Sequence, residues 1–220
     1  MGIQDLSPRL RQPSERPDSL DDPRLRGQRV GVDVSKYLHR ATSSKIGAEQ
    51  ATASPRVPVT QVEVVLSALL AACRKQVGET GISRGITPVF VFDGVRPSVK
   101  SLEDRRRAKE QVGAEAQLAA LYAKGNASDL NEVTKLRKRP AKVTEDVVAI
   151  ALSYLRAQGC EVLGAPFEVD WQLAHLERSG YTVATITEDS DLFPLGSKLM
   201  VTLLRESDGS CAIVIASCYM

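Results

Sequence analysis

Residues 86–92, with the sequence Ile-Thr-Pro-Val-Phe-Val-Phe, form a short apolar run that ends directly before Asp93. A run of this length and composition is typical of a strand buried on both faces of a parallel sheet. Strand patterns at 28–33, 160–163 and 181–187 also end in acidic residues or are closely followed by them. Because helical patterns separate these segments, the sequence predicts an α/β fold with a mostly parallel central sheet flanked by helices.

The remaining elements are predicted from helical periodicity and from turn residues. Helices are predicted from Thr60 onward and over 98–124, 144–158 and 168–179. The stretch 41–59 is rich in Ala, Ser, Thr and Pro and is predicted to be a loop. Asp208-Gly209 is typical of a tight turn, so the strands at 199–204 and 212–216 are predicted to form a final hairpin.

The composition is that of an ordinary globular protein, with 43% hydrophobic and 25% charged residues, and it excludes disorder over the whole chain. The N-terminal residues lack the pattern of a secretory leader, and no apolar run approaches the roughly 20 residues that span a bilayer. The four cysteines are widely spaced and form no C-x-x-C pair. This spacing disfavours a structural zinc site and favours free thiols in a reducing compartment.

Charge is distributed unevenly along the chain, although the formal net charge is only +2. Residues 96–142 carry 12 basic and 6 acidic residues, whereas residues 143–220 carry 4 basic and 11 acidic residues. A basic middle beside an acidic end favours a polyanionic partner together with something that neutralises carboxylates.

Six acids, here called the strand-end carboxylates, follow four of the predicted strands. They are Asp33, Asp93, Glu168, Asp170, Asp189 and Asp191. Because ligands of open α/β sheets bind at the carboxyl ends of the strands, we expect these acids to share one crevice. Like charges at such short range need counter-charge, and oxygen ligands favour Mg²⁺ or Mn²⁺ over zinc. Two such ions about 4 Å apart activate water and stabilise the leaving oxygen of a phosphodiester.

Two alternatives apply to these acids. A single acid after a strand is commonly a turn residue or a helix N-cap, as Asp33 before Ser35 would be; its repetition after four strands favours a shared site. Aspartyl-phosphate phosphatases also place an acid after a buried strand, but Asp93-Gly94-Val95 lacks their second acid two residues further on.

The acids lie within four ordered segments: GVDVSKYLHR at 31–40, FVFDG at 90–94, APFEVDWQLA at 165–174 and ITEDSDL at 186–192. Together with Met1-Gly2-Ile3-Gln4, these segments resemble the flap-endonuclease and exonuclease-one family of structure-specific 5′ nucleases. The last two segments look closer to the exonuclease-one branch. The resemblance implies a PIN-like 5′ nuclease core with a helical arch insertion, acting in the nucleus in DNA repair or replication.

The resemblance also implies a division of the chain. Residues 1–95 would hold the first two acidic motifs, 96–142 a basic helical arch or gateway, and 143–220 the third and fourth acidic motifs. Family members continue with a further acid and a helix–two-turn–helix unit that grips duplex DNA. We therefore expect the chain to stop short of the whole nuclease.

The resemblance implies that the strand-end carboxylates hold two Mg²⁺ ions, for which Mn²⁺ can substitute. Lys100 and Arg107 lie seven and fourteen positions after Asp93, which places both on one face of a helix. In the family, the matching side chains reach the scissile phosphate, where a cation stabilises the developing charge.

Other residues are assigned to DNA contact. His39 matches a family position that stacks on a base, with packing on a helix face as its alternative. Gly2 would seat the N-terminus near the DNA. Arg105 and Arg106 individually fit a solvated helix face, but together they add to a field that attracts DNA. Trp171, where the family often has a small residue, is assigned to the core or a pocket wall.

The expected function is Mg²⁺-dependent hydrolysis of DNA at 5′ ends, flaps or nicks, with no membrane and no covalent intermediate. Two other classes stay open. One is a truncated, catalytically weak DNA-binding or interaction module, and the other is a small-molecule phosphatase. Mg²⁺-dependent cleavage of DNA distinguishes the nuclease from both.

Overall fold

The computed structural model describes residues 18–43, 59–77, 82–95, 113 and 143–215. These residues form a seven-stranded sheet, a separate two-stranded hairpin, four α-helices and a short 3-10 helix. In chain order the elements are β1 (Asp18–Ser19), β2 (Arg29–Asp33), α1 (Val34–Ser43), α2 (Val59–Arg74), β3 (Gln76–Val77), β4 (Ile82–Ser83), β5 (Thr87–Phe92), α3 (Glu145–Ala157), β6 (Glu161–Gly164), α4 (Val169–Arg178), β7 (Ala184–Ile186), the 3-10 helix (Ser190–Leu192), β8 (Leu199–Thr202) and β9 (Ser210–Ile215).

The strand order of the large sheet is β1-β9-β8-β7-β2-β5-β6. The five strands from β8 to β6 are parallel to their neighbours, whereas β9 runs antiparallel to β8 and β1 antiparallel to β9. The predicted α/β fold with a mostly parallel sheet is therefore confirmed. The chain builds outward from β2 through β5 to β6, then crosses to the other side of β2 to form β7 and β8. This reversal makes the carboxyl end of β2 a topological switch point, where such sheets bind ligands.

The central strand β5 is buried on both faces, as its apolar run predicts. Phe90 and Phe92 face the larger core, beneath α1, α2 and α3. Val89 and Val91 face the smaller core, which is covered by α4. Because the side chains of a strand alternate between faces, a strand between two helical layers needs apolar residues at every position.

The prediction of a loop over 41–59 is wrong at both ends, because α1 extends to Ser43 and α2 begins at Val59. Helix α1 itself was not predicted. Its buried residues Val34, Tyr37, Leu38 and Ala41 follow the i, i+3, i+4, i+7 spacing of a helix face.

The short strands β1, β3 and β4 and the 3-10 helix were not predicted, whereas the remaining described elements agree with the predictions in type, with ends that shift by three residues at most. The final hairpin of β8 and β9 is present. Of the helix predicted over 98–124, only Gly113 is described, and it is helical; the rest of the predicted arch lies outside the described residues. Among the described helices, none is both long and apolar enough to cross a bilayer.

A buried arginine, Arg84, connects three segments of the chain at the edge of the fold that lies away from the strand-end carboxylates. Arg84 is 2% exposed and donates hydrogen bonds to Asp21 (2.7 and 3.1 Å), to the carbonyl of Ala72 (2.8 Å) and to the carbonyl of Asp208 (2.9 Å). Gly209 turns the chain over this guanidinium with φ +81°, and a Cβ there would lie 2.3 Å from Nη1 of Arg84. The position therefore requires glycine for both its backbone conformation and its space.

Candidate active site

The strand-end carboxylates lie at one edge of the sheet. Asp33 is the last residue of β2, and Asp93 follows β5 directly. Glu168 is the N-cap of α4 after β6, with Asp170 in the first turn, and Asp189 follows β7. Because β7, β2, β5 and β6 are consecutive in the sheet, these carboxylates lie side by side at its carboxyl edge.

Asp170 shows how closely the carboxylates are grouped. Burial, and after it the charges of Asp189, Asp33, Asp93 and Glu168, together raise its pKa to about 7. Its Oδ1 atom is buried and accepts no hydrogen bond from the described residues. An ionised carboxylate in this position lacks compensation, which a bound cation supplies.

Asp33 is buried between two donors. The backbone N–H of Ser35 donates to Oδ1 at 2.9 Å, and the hydroxyl of Thr187 donates to Oδ2 at 3.3 Å. Burial, with a smaller contribution from the charge of Asp93, nevertheless raises the pKa of Asp33 to about 6. The two donors lower the pKa without cancelling the cost of burial.

Asp93 joins two helices across the site. Its Oδ2 accepts the hydroxyl of Ser35 at 2.8 Å, and its Oδ1 accepts the backbone N–H of Val169 at 3.0 Å. Ser35 thus contacts two carboxylates, Asp33 through its N–H and Asp93 through its hydroxyl. Asp93 also satisfies one of the free amides at the start of α4.

Gly94 allows the loop after β5 to lie against the loop after β6. Its N–H donates to the carbonyl of Phe167 at 2.7 Å, and the N–H of Val95 donates to the carbonyl of Pro166 at 3.3 Å. A Cβ on Gly94 would lie 1.8 Å from the carbonyl oxygen of Ala165. Only glycine fits this approach, which holds Asp93 beside the start of α4.

Asp189 and Asp191 continue the same network. The hydroxyl of Thr187, which donates to Asp33, accepts the N–H of Asp189 at 3.1 Å. Asp189 in turn accepts the N–H of Asp191 at 3.0 Å and caps the 3-10 helix. Asp189 therefore both caps a helix, the structural alternative for these acids, and lies near Asp170 at the site.

An ion pair closes one side of the cluster. The Nζ atom of Lys36 lies 2.6 Å from a carboxylate oxygen of Glu188 and joins α1 to the loop after β7. Sequence reasoning missed this pair, together with the roles of Ser35, Thr187 and Gly94. The Asp-x-Ser and Thr-x-Asp spacings were the available signals, since both are typical of side chains that hydrogen-bond the backbone two residues away.

The remaining predicted site residues are placed as follows. His39 is exposed on α1. Trp171 is 60% exposed in the first turn of α4, so its assignment to the core is wrong. The predicted residues outside the described part of the chain are Gly2, Lys100, Arg105, Arg106 and Arg107. Among the described residues, no three His, Cys, Asp or Glu side chains converge closely enough to form a complete metal-binding group.

Two family models match the chain. The XPG N-terminal domain matches residues 1–114, and the XPG I-region matches residues 159–219. Since the first match covers more than half of the 220 residues, the chain belongs to the XPG family, and the predicted resemblance is confirmed.

Similar proteins include flap endonuclease 1 of Leishmania major, 31% identical over 94% of this chain and 51% of the relative. Exodeoxyribonuclease 1 of Saccharomyces cerevisiae is 31% identical over 96% of this chain and 27% of the relative. The chain thus spans between about a quarter and about half of the length of these relatives.

Solved structures of two other proteins share the fold. The catalytic core of Rad2 in complex with a DNA substrate superposes with a TM-score of 0.62 at 21% identity, over 92% of this chain and 51% of that chain. The Holliday junction-resolving enzyme GEN1, in complex with product DNA and a Mg²⁺ ion, superposes with a TM-score of 0.55 at 18% identity, over 97% of this chain and 39% of that chain.

Proposed function

We propose that this chain is a Mg²⁺-dependent 5′ nuclease that hydrolyses DNA phosphodiesters at 5′ ends, flaps or nicks. The relatives named flap endonuclease and exodeoxyribonuclease support the reaction class.

The chemistry of the donor set suits a hard divalent cation, but in the arrangement described no three of the described carboxylates converge closely enough to hold one. All of the gathered side chains offer carboxylate oxygens, which suit Mg²⁺ or Mn²⁺. Asp170 has an oxygen without a hydrogen-bond partner among the described residues, and burial followed by the neighbouring negative charges raises its pKa, a cost that a cation would offset. The strand-end carboxylates would therefore hold the metal, in two ions by the family resemblance. When bound, such ions activate a water molecule and stabilise the leaving oxygen of a phosphodiester.

The chain's own residues position this chemistry. Ser35 and Thr187 hold Asp33 toward its neighbours on either side, Asp93 and Asp189. Gly94 keeps Asp93 against the start of α4. These contacts join segments far apart in sequence and hold the carboxylates at one edge of the sheet, from which binding a metal requires them to converge more closely.

The remaining parts of the proposal rest on the sequence and the family. Lys100 and Arg107 would contact the scissile phosphate, Arg105 and Arg106 would attract DNA, and Gly2 would lie near it. His39, exposed on α1 six residues after Asp33, would stack on a base. A place in the nucleus and a role in DNA repair or replication complete the proposal.

The test uses the full chain with 5′-labelled flap and 5′-recessed duplexes, in Mg²⁺ and in EDTA. We expect cleavage in Mg²⁺ only, and its loss by about 10²-fold or more in Asp93→Ala and in Asp189→Ala. Asp146→Ala, which removes an exposed acid at the start of α3, is the matched control and should leave cleavage unchanged.

Each alternative outcome has a definite meaning. Cleavage that survives both substitutions contradicts the assignment of these carboxylates. DNA binding without cleavage at any Mg²⁺ or Mn²⁺ concentration contradicts the proposal and favours a binding module. Turnover of a generic phosphate monoester without DNA cleavage favours a phosphatase.

A further inference from the structure

An exposed apolar surface borders the carboxylates. It consists of Val95, Pro166, Phe167 and Trp171 and is here called the apolar rim. Val95 is 73% exposed, Phe167 59% and Trp171 60%. An aromatic pair left this open to solvent within one helical turn is unusual in a folded domain, where large exposed apolar patches mark binding surfaces.

The rim has a fixed position relative to the carboxylates. Val95 comes two residues after Asp93, and its N–H donates to the carbonyl of Pro166. Phe167 and Trp171 flank the N-cap Glu168 and the first-turn Asp170 of α4. The backbone that holds the carboxylates therefore also holds the rim.

The exposure of the aromatic side chains has no local structural explanation. Phe167 precedes the N-cap of α4, a position where an apolar residue commonly packs against the fourth helical residue. That residue is Gln172, which is polar. Trp171 lies on the side of α4 that carries His175 and Arg178, whereas Val169, Leu173 and Leu176 form the buried side.

We propose that the apolar rim, and Trp171 above all, stacks on an unpaired base of the DNA strand whose phosphate reaches the carboxylates. This inference rests on the proposed function and adds a substrate contact to it. An acidic edge repels phosphates that no cation neutralises, so the part of a nucleotide that lies against the rim is the uncharged face of its base. Aromatic side chains beside a phosphate-binding groove bind single strands in this way, with little preference for sequence.

Trp171 is the single tryptophan of the chain, so its fluorescence reports on the rim alone. The full chain is titrated with a 5′-flap duplex or with a blunt duplex of the same sequence, in Ca²⁺, which takes oxygen ligands as Mg²⁺ does and so neutralises the acidic edge, under conditions in which no cleavage product forms. Binding is followed in parallel by the anisotropy of a dye on the DNA. We expect the flap to quench Trp171 as it binds, and the blunt duplex to bind with little quenching.

Variants test the contribution to affinity. Trp171→Ala should weaken flap binding by about 5- to 100-fold, the range for losing one base–aromatic stack, and blunt-duplex binding by less than about twofold. Trp171→Phe should restore most of the affinity, because it keeps a stacking face. Tyr181→Ala removes an exposed ring beyond the other end of α4 and is the matched control.

The outcomes separate this inference from the proposed function. Unchanged Trp171 fluorescence on a flap that anisotropy shows to be bound overturns the inference, while Mg²⁺-dependent cleavage in the same preparation leaves the nuclease proposal standing. Equal weakening on flap and blunt duplex by Trp171→Ala also overturns it. A buried-type emission that DNA does not alter overturns it in favour of a rim covered by another part of the chain. Absence of any DNA binding refutes both proposals.

Discussion

Replacing Asp170 by Asn should make the metal-free protein more stable at high pH. The pKa of Asp170 is raised from 3.8 to about 7 by burial and by the charges of Asp189, Asp33, Asp93 and Glu168. The folded state therefore binds more protons than the unfolded state between these two values. Stability is fully present below about pH 3.8 and is lost as the pH rises through about 7. Asn has nearly the same shape as Asp but carries no charge. The Asp170→Asn variant should therefore not lose this stability as the pH rises.

The shift in pKa sets the size of the effect. About three pKa units correspond to about 4 kcal/mol, which solvent screening of the partly exposed group reduces to about 2 kcal/mol. Rather more than half of this loss, about 1 kcal/mol, falls between about pH 5 and about pH 8.5. The free energy of unfolding falls by about 2 kcal/mol per molar urea. The urea midpoint of the variant minus that of the wild type should therefore be about 0.5 M larger at about pH 8.5 than at about pH 5.

The assay is urea unfolding in EDTA at both pH values, with Asp146→Asn as an exposed-acid control that should show no such gain. Mg²⁺ at the higher pH should stabilise the wild type more than Asp170→Asn, because an ion that binds only the folded carboxylates adds its binding free energy to stability. If Asp170→Asn is less stable than wild type at high pH in EDTA, an uncompensated charge at this position is the wrong description.

Three further substitutions test the contacts around the core and the site. Gly94→Ala should shift the loop that contains Ala165 and lower both cleavage and stability, the latter by about 1–3 kcal/mol; an unchanged urea midpoint contradicts the 1.8 Å approach. Arg84→Met should cost about 3–5 kcal/mol in urea unfolding, since it leaves Asp21 and two carbonyls without their donor; a cost below about 1 kcal/mol contradicts that role. Tyr37→Phe should raise stability by about 1 kcal/mol, because the buried hydroxyl has no partner among the described residues; a loss of stability would reveal a partner.

The sequence predicted the elements that have a local signal. The apolar run before Asp93 indicated a strand buried on both faces, and β5 is one. The acids after four strands were visible because each follows its strand within a few positions. The helical spacing in α1 is an equally local signal, but it covers only ten residues between a strand and a stretch rich in Ala, Ser, Thr and Pro.

The contacts between these elements could not be predicted, since no local pattern names a partner. Ser35 and Asp93 are 58 residues apart in sequence, and Thr187 and Asp33 are 154 apart. The order of the strands, which places β2 between β5 and β7, likewise has no local pattern that predicts it. Gly94 was quoted as part of a motif, but its need for glycine follows from the carbonyl of Ala165, which only the fold brings near.

The acids at the site both stabilise and destabilise the folded state. Asp33, Asp93 and Asp189 each accept a backbone N–H at the start of a helix, which stabilises that helix. Burial and, to a smaller extent, the neighbouring acids at the same edge raise the pKa of Asp33 and Asp170, which costs stability at neutral pH. Capping alone therefore explains each acid singly but not their grouping, because a protein selected only for its caps would place them apart. The grouping favours a function that needs concentrated negative charge, and a bound cation is the simplest way to recover the stability it costs.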